Sequence, residues 1–449
     1  MTRTAVMWFR RDLRLSDLPA LAAAADRGRV VPLYVLDPAF ATDTMRFAAL
    51  RLALAGLQRA LDGRLVVVAG DPAVEVPRLA ALWNSDEVFV TREHTPYGRR
   101  RDAAVAAALT GEGVRLVGVG DHYAVTPGTV RKADGNSYAV FTPFARAWRA
   151  TGWSAPAAMP DVTWAEVSSA TAGAVGVPYG WSAFVDAPLT EDDVAQRWDD
   201  VLPRMGDYKD QRDLAAIDGT SRLSAALRWG VVHPRQLLAD LVPGDPGHDA
   251  FANELAWREF YADVLLRRPE TAWQNLDRSM DAMPVDTDAD ARRRFERWAT
   301  GTTGYPFVDA GMRQLANSGW MHNRVRMVVA SFLVKDLHLP WQWGARHFLR
   351  HLADGDLASN NHGWQWAAGT GTDAAPYVRV FNPIAQGQRF DPDGDYVRRW
   401  VPELAGVSGK AVHDPGLLRP DDYAPPMVDH AVERAEALAR YRHTRAGSR

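Results

Sequence analysis

The chain has 449 residues, 47% hydrophobic and 24% charged, with a formal net charge of -3; it is too long for one hydrophobic core, and two domains are expected. No apolar run is long enough to cross a bilayer, and the opening TAVMWFRRDLRL is too short and too soon charged for a signal peptide, so a cytoplasmic protein with no membrane partner is expected. With 0 cysteines, disulfides, thiolate catalysis, zinc ribbons and cysteine-held iron-sulfur clusters are excluded, and the net charge gives no global pull towards nucleic acid.

From Thr4 to about Gly118, short β-branched runs alternate with helical patterns. VMWF, VVPLYVL, LVVVA, VFV and VRLVGV read as buried parallel strands, and Leu18–Ala25, Arg46–Leu61, Pro72–Trp83 and Arg99–Leu109 as helices. This is a doubly wound α/β domain, assigned to residues 1–125. It has neither G-x-G-x-x-G after the first strand nor a Walker A motif, and Gly111 and Gly113 follow a helix, as turn residues do. Residues 126–203, rich in Pro, Gly, Ser and Thr, read as an interdomain connection. Beyond it the strand pattern ends, and residues 204–449 read as an all-α domain with helices at Ala250–Arg267, Ala289–Ala299, Val308–Ser318, Val325–Leu337 and Trp341–Leu352, fraying after about Arg440.

Four stretches carry chemistry. Gly219–Ser224, GTSRLS, sets three hydroxyls and Arg222 at a predicted helix start, where free N–H groups favour an anion; an N-cap beside a surface arginine has the same pattern. In Asn253–Phe260, Glu254 and Trp257 share a helix face that suits a base-like ring, as would a core tryptophan beside an exposed ion pair. In Trp320–Met327, Asn323 and Met327 share a face while Arg324 and Arg326 diverge from it. Asp354–Ala367, DGDLASNNHGWQWA, packs two acids, adjacent amides and two tryptophans into about four turns, either to satisfy a buried loop-to-helix junction or to line a pocket for a planar cofactor. Arginines recur at 292, 293, 294, 297, 313, 324, 379, 389, 398 and 399, as a solvated face or as a rim that tracks phosphates.

In order along residues 4–430, these stretches, with WFRRDLRL at Trp8, TGYPFVDAGMRQL at Thr303 and RVFNP at Arg379, resemble the DNA photolyase and cryptochrome family. The resemblance implies an α/β antenna-binding domain and an all-α domain holding FAD folded into a U shape. It places Thr220, Ser221, Arg222, Leu223 and Ser224 at the diphosphate with Tyr208 nearby, and Trp257, Arg258, Asn323, Arg326, Asp354, Asp356 and Asn360 around the cofactor. Asp354 would partner Arg326, and Asn360 would face flavin N5, where an amide accepts from a protonated nitrogen without adding charge.

Among family branches, Asn323 and Met327 match enzymes for cyclobutane pyrimidine dimers rather than (6-4) photoproducts, and the missing cysteines exclude the iron-sulfur branch. UV-damaged DNA is the implied partner of a monomeric enzyme, with Glu254 on the pyrimidine carbonyl edge, Trp257 and Trp366 as walls, and Arg324, Met327 and Arg379 also contacting substrate. Photoexcited reduced FAD would give the dimer an electron, the two carbon-carbon bonds would break, and the electron would return; no metal is implied. Photolyases are among the enzymes that take their target base out of the stack.

Trp364 and Trp341 resemble the inner members of the chain that photoreduces oxidised flavin, but Asp288 stands where the surface tryptophan is usual, which points either to slow photoreduction or to rerouting through Trp273 or Trp298. His362 replaces a usual glycine, either tuning the pocket or filling space. PYGRRRD at Pro96 is similar to the 8-hydroxy-5-deazaflavin antenna type, with Asp37, Arg51 and Asp102 as contacts, rather than the methenyltetrahydrofolate type. A blue-light photoreceptor without repair is the rival reading.

Overall fold

The structure, a computed structural model, describes residues 4–40, 44–177, 185, 187–372 and 379–447; residues 178–184 and 186 of the predicted connection lie outside these. Packing divides the chain into two units, Met1–Tyr138 with Thr142–Met205 and Ser221–Pro269, and Ala139–Phe141 with Gly206–Thr220 and Glu270–Arg449.

The first unit is built on five parallel strands, β1 (Thr4–Phe9), β2 (Arg29–Leu36), β3 (Val66–Ala69), β4 (Ser85–Val90) and β5 (Arg115–Gly118), in the order β3-β2-β1-β4-β5. The residues of β1 from Ala5 and of β2 from Val30 are all buried, as a sheet covered on both faces requires. Helices Pro19–Ala25, Met45–Ala60, Pro72–Leu82 and Pro96–Gly111 make the crossovers. The last starts earlier than its periodicity suggests, because Pro96 occupies the first turn and the Thr95 side chain caps Gly98 N at 3.1 Å.

Among its described residues the predicted connection contains three α-helices, Phe141–Thr151, the short Ser169–Ala172 and Glu191–Val201, the last capped by Thr190 on Asp193 N at 3.0 Å. Packing groups helix Pro246–Arg267 with the sheet, where hydropathy pattern assigns it to the helical half. The cause is one face of that helix. Glu259 is buried and accepts from Ala124 N at 2.6 Å, Val125 N at 3.0 Å and Trp148 Nε1 at 2.6 Å, and Asp263 accepts from Gly128 N at 2.7 Å.

The second unit is helical among its described residues, with Ala289–Ala299, Pro306–Ser318, Asn323–Ser331, Trp341–His351, Leu357–Ala368 and His430–Gly447 as its longer helices. The single helix expected over Val325–Leu337 instead breaks into a π-helical turn at Phe332–Asp336. That turn buries two consecutive polar side chains: Lys335 donates to Ala368 O at 2.7 Å, and Asp336 pairs with His430. Among the described residues the chain does not fray after Arg440. The final helix continues to Gly447 because Arg440 pairs with Asp286 at 2.8 Å and Arg445 with Asp277 at 3.0 Å.

Candidate functional site

Helix Leu357–Ala368 begins at Asp356, whose carboxylate caps Ser359 N at 3.0 Å. One face of the helix is anchored to the segment before it. Asn361 donates to Ala272 O, Gln365 accepts from Leu276 N at 2.8 Å and donates to Thr271 O at 2.7 Å, and His362 meets Thr271 Oγ1 at 2.9 Å. The other His362 nitrogen lies 2.8 Å from Ala358 O, so it carries the proton and the ring is neutral; burial pushes its pKa down to about 4. The histidine that replaces a glycine thus serves the anchored side.

Asp356, Asn360 and Gly363 recur at i, i+4 and i+7 on another face. The Asn360 amide nitrogen donates to Ala345 O at 3.1 Å and Asn361 Oδ1 at 2.8 Å, which fixes the amide and turns its carbonyl oxygen to the remaining side. A Cβ built on Gly363 would meet no atom within 4 Å. The stripe therefore offers a capping carboxylate, an oriented acceptor and a flat, open backbone, which fits a planar ring with a polar edge.

Close by in sequence, Asp354 is held by Arg326 in a two-pronged pair at 3.2 and 2.8 Å, while Arg326 Nε donates to Met321 O at 2.7 Å. Arg326 sits on helix Asn323–Ser331, whose N-cap His322 accepts from Arg324 N at 3.2 Å and is kept neutral by burial, its pKa lowered to about 4. Asn323 is exposed at the first turn and Met327 is half-buried one turn on. Arg324 turns away to Asp213 at 2.6 Å and covers the Phe390 ring.

Trp364 and Trp366 project from different sides of their helix. Trp364 is buried against Phe348 and Trp298, and a Cβ at Gly344 would lie 2.1 Å from its ring, so only glycine admits it there. Trp366 is half-buried beside Phe381 at 6.4 Å, and Arg379 is exposed. Trp341 is buried with Nε1 donating to Asn275 at 2.8 Å. Asp288 is an exposed cap that accepts from Ala291 N at 2.8 Å.

In the first unit, helix Pro246–Arg267 carries Glu254 and Trp257, both half-buried, on a face different from the Glu259 anchor. The sequence reading missed Tyr261, whose ring lies 5.3 Å from that of Trp257; the i+4 spacing was its signal. Arg258 donates to His122 O at 3.1 Å and Leu227 O at 3.2 Å. Ser221–Leu223 form a turn with Arg222 at φ 57, and the helix proper begins at Ser224 with no side-chain cap; Tyr208 and Thr220 belong to the second unit.

The expected antenna contacts differ in their engagement. Asp37 accepts from Ala39 N at 2.9 Å and from the Tyr97 hydroxyl, while Asp102 is bound by Arg10 at 2.9 Å and Arg101 at 2.8 Å. Arg51 is half-buried. Among the described residues no cluster of ligating side chains has the arrangement of a metal site, and no helix is long and apolar enough to cross a membrane.

A parallel α/β unit together with a helical unit that presents a flat, polar helix face defines a protein built to hold a planar cofactor. Residues 5–161 match the family described as DNA photolyase, and residues 251–443 match the FAD binding domain of DNA photolyase. The chain is 41% identical to the deoxyribodipyrimidine photo-lyase of Streptomyces griseus over 98% of its own length and 99% of the relative's. Its fold matches a class III photolyase of Agrobacterium tumefaciens with a TM-score of 0.90 and 34% identity, covering 99% and 98% of the two chains. A cryptochrome of Synechocystis follows at 0.85 and 27%, covering 98% and 99%. The chain belongs to the DNA photolyase family and carries its FAD-binding domain.

Proposed function

We propose that this protein repairs cyclobutane pyrimidine dimers in DNA with light, as a cytoplasmic monomer. The observation that carries the reading is the Asp356–Asn360–Gly363 stripe, in which one amide is locked with its oxygen outward beside open backbone. Bound FAD in its reduced form supplies the photoexcited electron. In this reading Asn360 accepts from the protonated edge of the ring, and the Arg326–Asp354 pair, Asp356 and Asn323 complete the ring's surroundings. Tyr208, Thr220, Ser221, Arg222, Leu223 and Ser224 hold the diphosphate, and Trp257 with Arg258 completes the cofactor contacts.

Trp257, Tyr261 and Trp366 supply aromatic surface for the dimer, Glu254 hydrogen-bonds its carbonyl edge, and Arg324, Met327 and Arg379 contact the DNA. An 8-hydroxy-5-deazaflavin antenna would use Asp37 and Arg51, with Asp102 acting while still bound to Arg10.

The test is illumination of the reduced protein with dimer-containing oligothymidine. Absorbance at the pyrimidine band should recover. The likeness to a cryptochrome favours a second reading, a photoreceptor, which bound reduced FAD without that recovery would select.

A further inference from the structure

The π-helical turn Phe332–Asp336 carries a cation to which the proposed repair site gives no role. Lys335 is buried there, and its one hydrogen bond among the described residues runs from Nζ to Ala368 O at 2.7 Å. An ammonium has three N–H donors, so an interior that accepts from only one of them holds it at a cost. Ala368 ends helix Leu357–Ala368, and its carbonyl is one of the terminal groups that no helical N–H reaches.

Past Ala368 the chain turns sharply. Gly369 has φ 79, and a Cβ added to it would lie 3.8 Å from Lys335 Nζ. Thr370 N returns to Gln365 O at 2.9 Å, Thr370 O accepts from Asp277 N at 2.9 Å, and a Cβ on Gly371 would come within 3.1 Å of Trp366 N. The hydroxyls of Thr370 and Thr372 are buried and have no hydrogen-bond partner among the described residues, so the turn is held by backbone contacts and by Lys335 beneath it. Trp366, one of the proposed walls for the dimer, lies two residues before Ala368.

We propose that Lys335 is a positioning residue for the dimer: its ammonium fixes the carboxyl end of helix Leu357–Ala368, from which Trp366 projects, and thereby raises affinity for damaged DNA. The inference rests on the proposed repair reading, since it acts through Trp366. A cation at this place offsets the negative end of the helix and donates a charge-assisted hydrogen bond, which a neutral amine does more weakly.

Burial lowers the Lys335 pKa to about 8, and no neighbouring charge contributes. Titratable and charged groups on the elements packed against the turn are engaged elsewhere: Asp336 with His430 and Glu433 with His338 towards the final helix, Arg324 and Arg326 with Asp213 and Asp354, His362 with Thr271, Arg346 over the Trp273 ring, and His347 stacked on His351. The unfolded chain, with an ordinary lysine pKa of 10.5, keeps its proton longer, so the contribution of Lys335 to stability rises as pH climbs from 8 to 10.5. Dimer affinity should move the other way, whereas a lysine with a purely structural duty would move both together.

The test measures binding of dimer-containing oligothymidine by the FAD-loaded, chemically reduced protein between pH 7 and 9, beside bound flavin, saturated repair rate and Tm. Wild-type affinity should fall about fivefold around pH 8, the factor given by about 1 kcal/mol of charge at a helix end, while bound flavin and saturated rate hold steady. Lys335→Met should bind more weakly than the wild type by about that factor at pH 7 and show no further decline. Lys335→Arg, which keeps a cation, should restore the affinity and hold it to pH 9. Wild-type affinity that stays constant across the range, or a Lys335→Met profile that falls as the wild type's does, would overturn the proposal. If neither variant folds, the wild-type affinity profile and its opposed Tm trend decide alone. Failure of the reduced wild type to bind the dimer at pH 7 would defeat the repair reading itself, a result distinct from a flat profile.

Discussion

The carboxyl end of the sheet and the helix Leu357–Ala368 both gather polar side chains, but only the helix sets them beside open backbone. Between β1 and β4 the strand order reverses, the place where open α/β sheets usually take a ligand. Here it is filled: Arg10 binds Asp102 at 2.9 Å, Thr91 binds Asp12 at 2.6 Å, and Glu93 lies 3.4 Å from Arg11 and 3.2 Å from His122. Glu93 is held well below the usual carboxylate range by Arg11 and His122, against the cost of burial. Helix Leu357–Ala368 instead fixes one face with Asn361, His362 and Gln365 and carries Asp356, Asn360 and Gly363 on another, where a Cβ at Gly363 would meet no atom within 4 Å. Polar density alone therefore does not mark a site; an oriented acceptor beside open backbone on a rigid support does.

The widest separation should come from breaking one pair in each region. Asp102→Asn leaves the buried Arg10 cation without its anion, and Arg326→Met leaves the buried Asp354 carboxylate without its cation. Each should cost about 3 kcal/mol in denaturant unfolding. Only Arg326→Met should also release FAD, measured as the bound flavin-to-protein ratio. Equal flavin loss in both variants would erase the contrast.

Acid titration tests the anchored face. His362 has a folded pKa of about 4 against an ordinary 6.5, so the unfolded chain binds the extra proton first. Its stabilising contribution is complete above pH 6.5 and is lost as pH falls towards 4, amounting to about 3 kcal/mol. His362→Gln should flatten unfolding free energy against pH over that interval. Glu259 in the sheet-bearing unit has the opposite sign: burial raises its pKa to about 7 from 4.5, the folded chain holds the proton longer, and stability falls as pH rises through that window. Glu259→Gln should remove that decline.

Much of this was legible in the sequence. The β-branched runs gave all five strands because a doubly covered sheet needs continuous apolar stretches, and DGDLASNN marked the helix that presents the Asn360 face. What stayed hidden depends on partners distant in sequence. Nothing local shows that Glu259 fastens residues 124–128 to its helix, that Asp102 is bound by Arg10, or that Lys335 and Asp336 both face inward through a π turn. The connection's three helices were missed because the Pro and Gly around them outweighed short periodic segments, though Thr190 with Asp193 was a readable cap.

Two aspartates with the same local duty narrow the comparison. Asp71 caps helix Pro72–Leu82 on Ala73 N at 2.9 Å, as Asp356 caps its own helix at 3.0 Å. Replacing either with Ala should cost about 1 kcal/mol. Flavin affinity should fall for Asp356→Ala alone, measured by equilibrium dialysis with FAD.

The smallest change in stability should be the most discriminating, because its sign opposes its effect on binding. Gly363 lies inside a helix, where glycine is worse than alanine by about 0.5–1 kcal/mol, and an added Cβ meets no protein atom. Gly363→Ala should therefore raise the unfolding free energy of the FAD-free protein by about that amount. If the open space is where the ring lies, the same methyl group should weaken FAD binding, so the ligand-induced rise in Tm shrinks while the starting Tm increases. A variant that gains stability and binds FAD as tightly as the wild type would show that the ring does not rest on this face. Asp356 would then be a cap like Asp71, and the two regions would differ less than their geometry indicates.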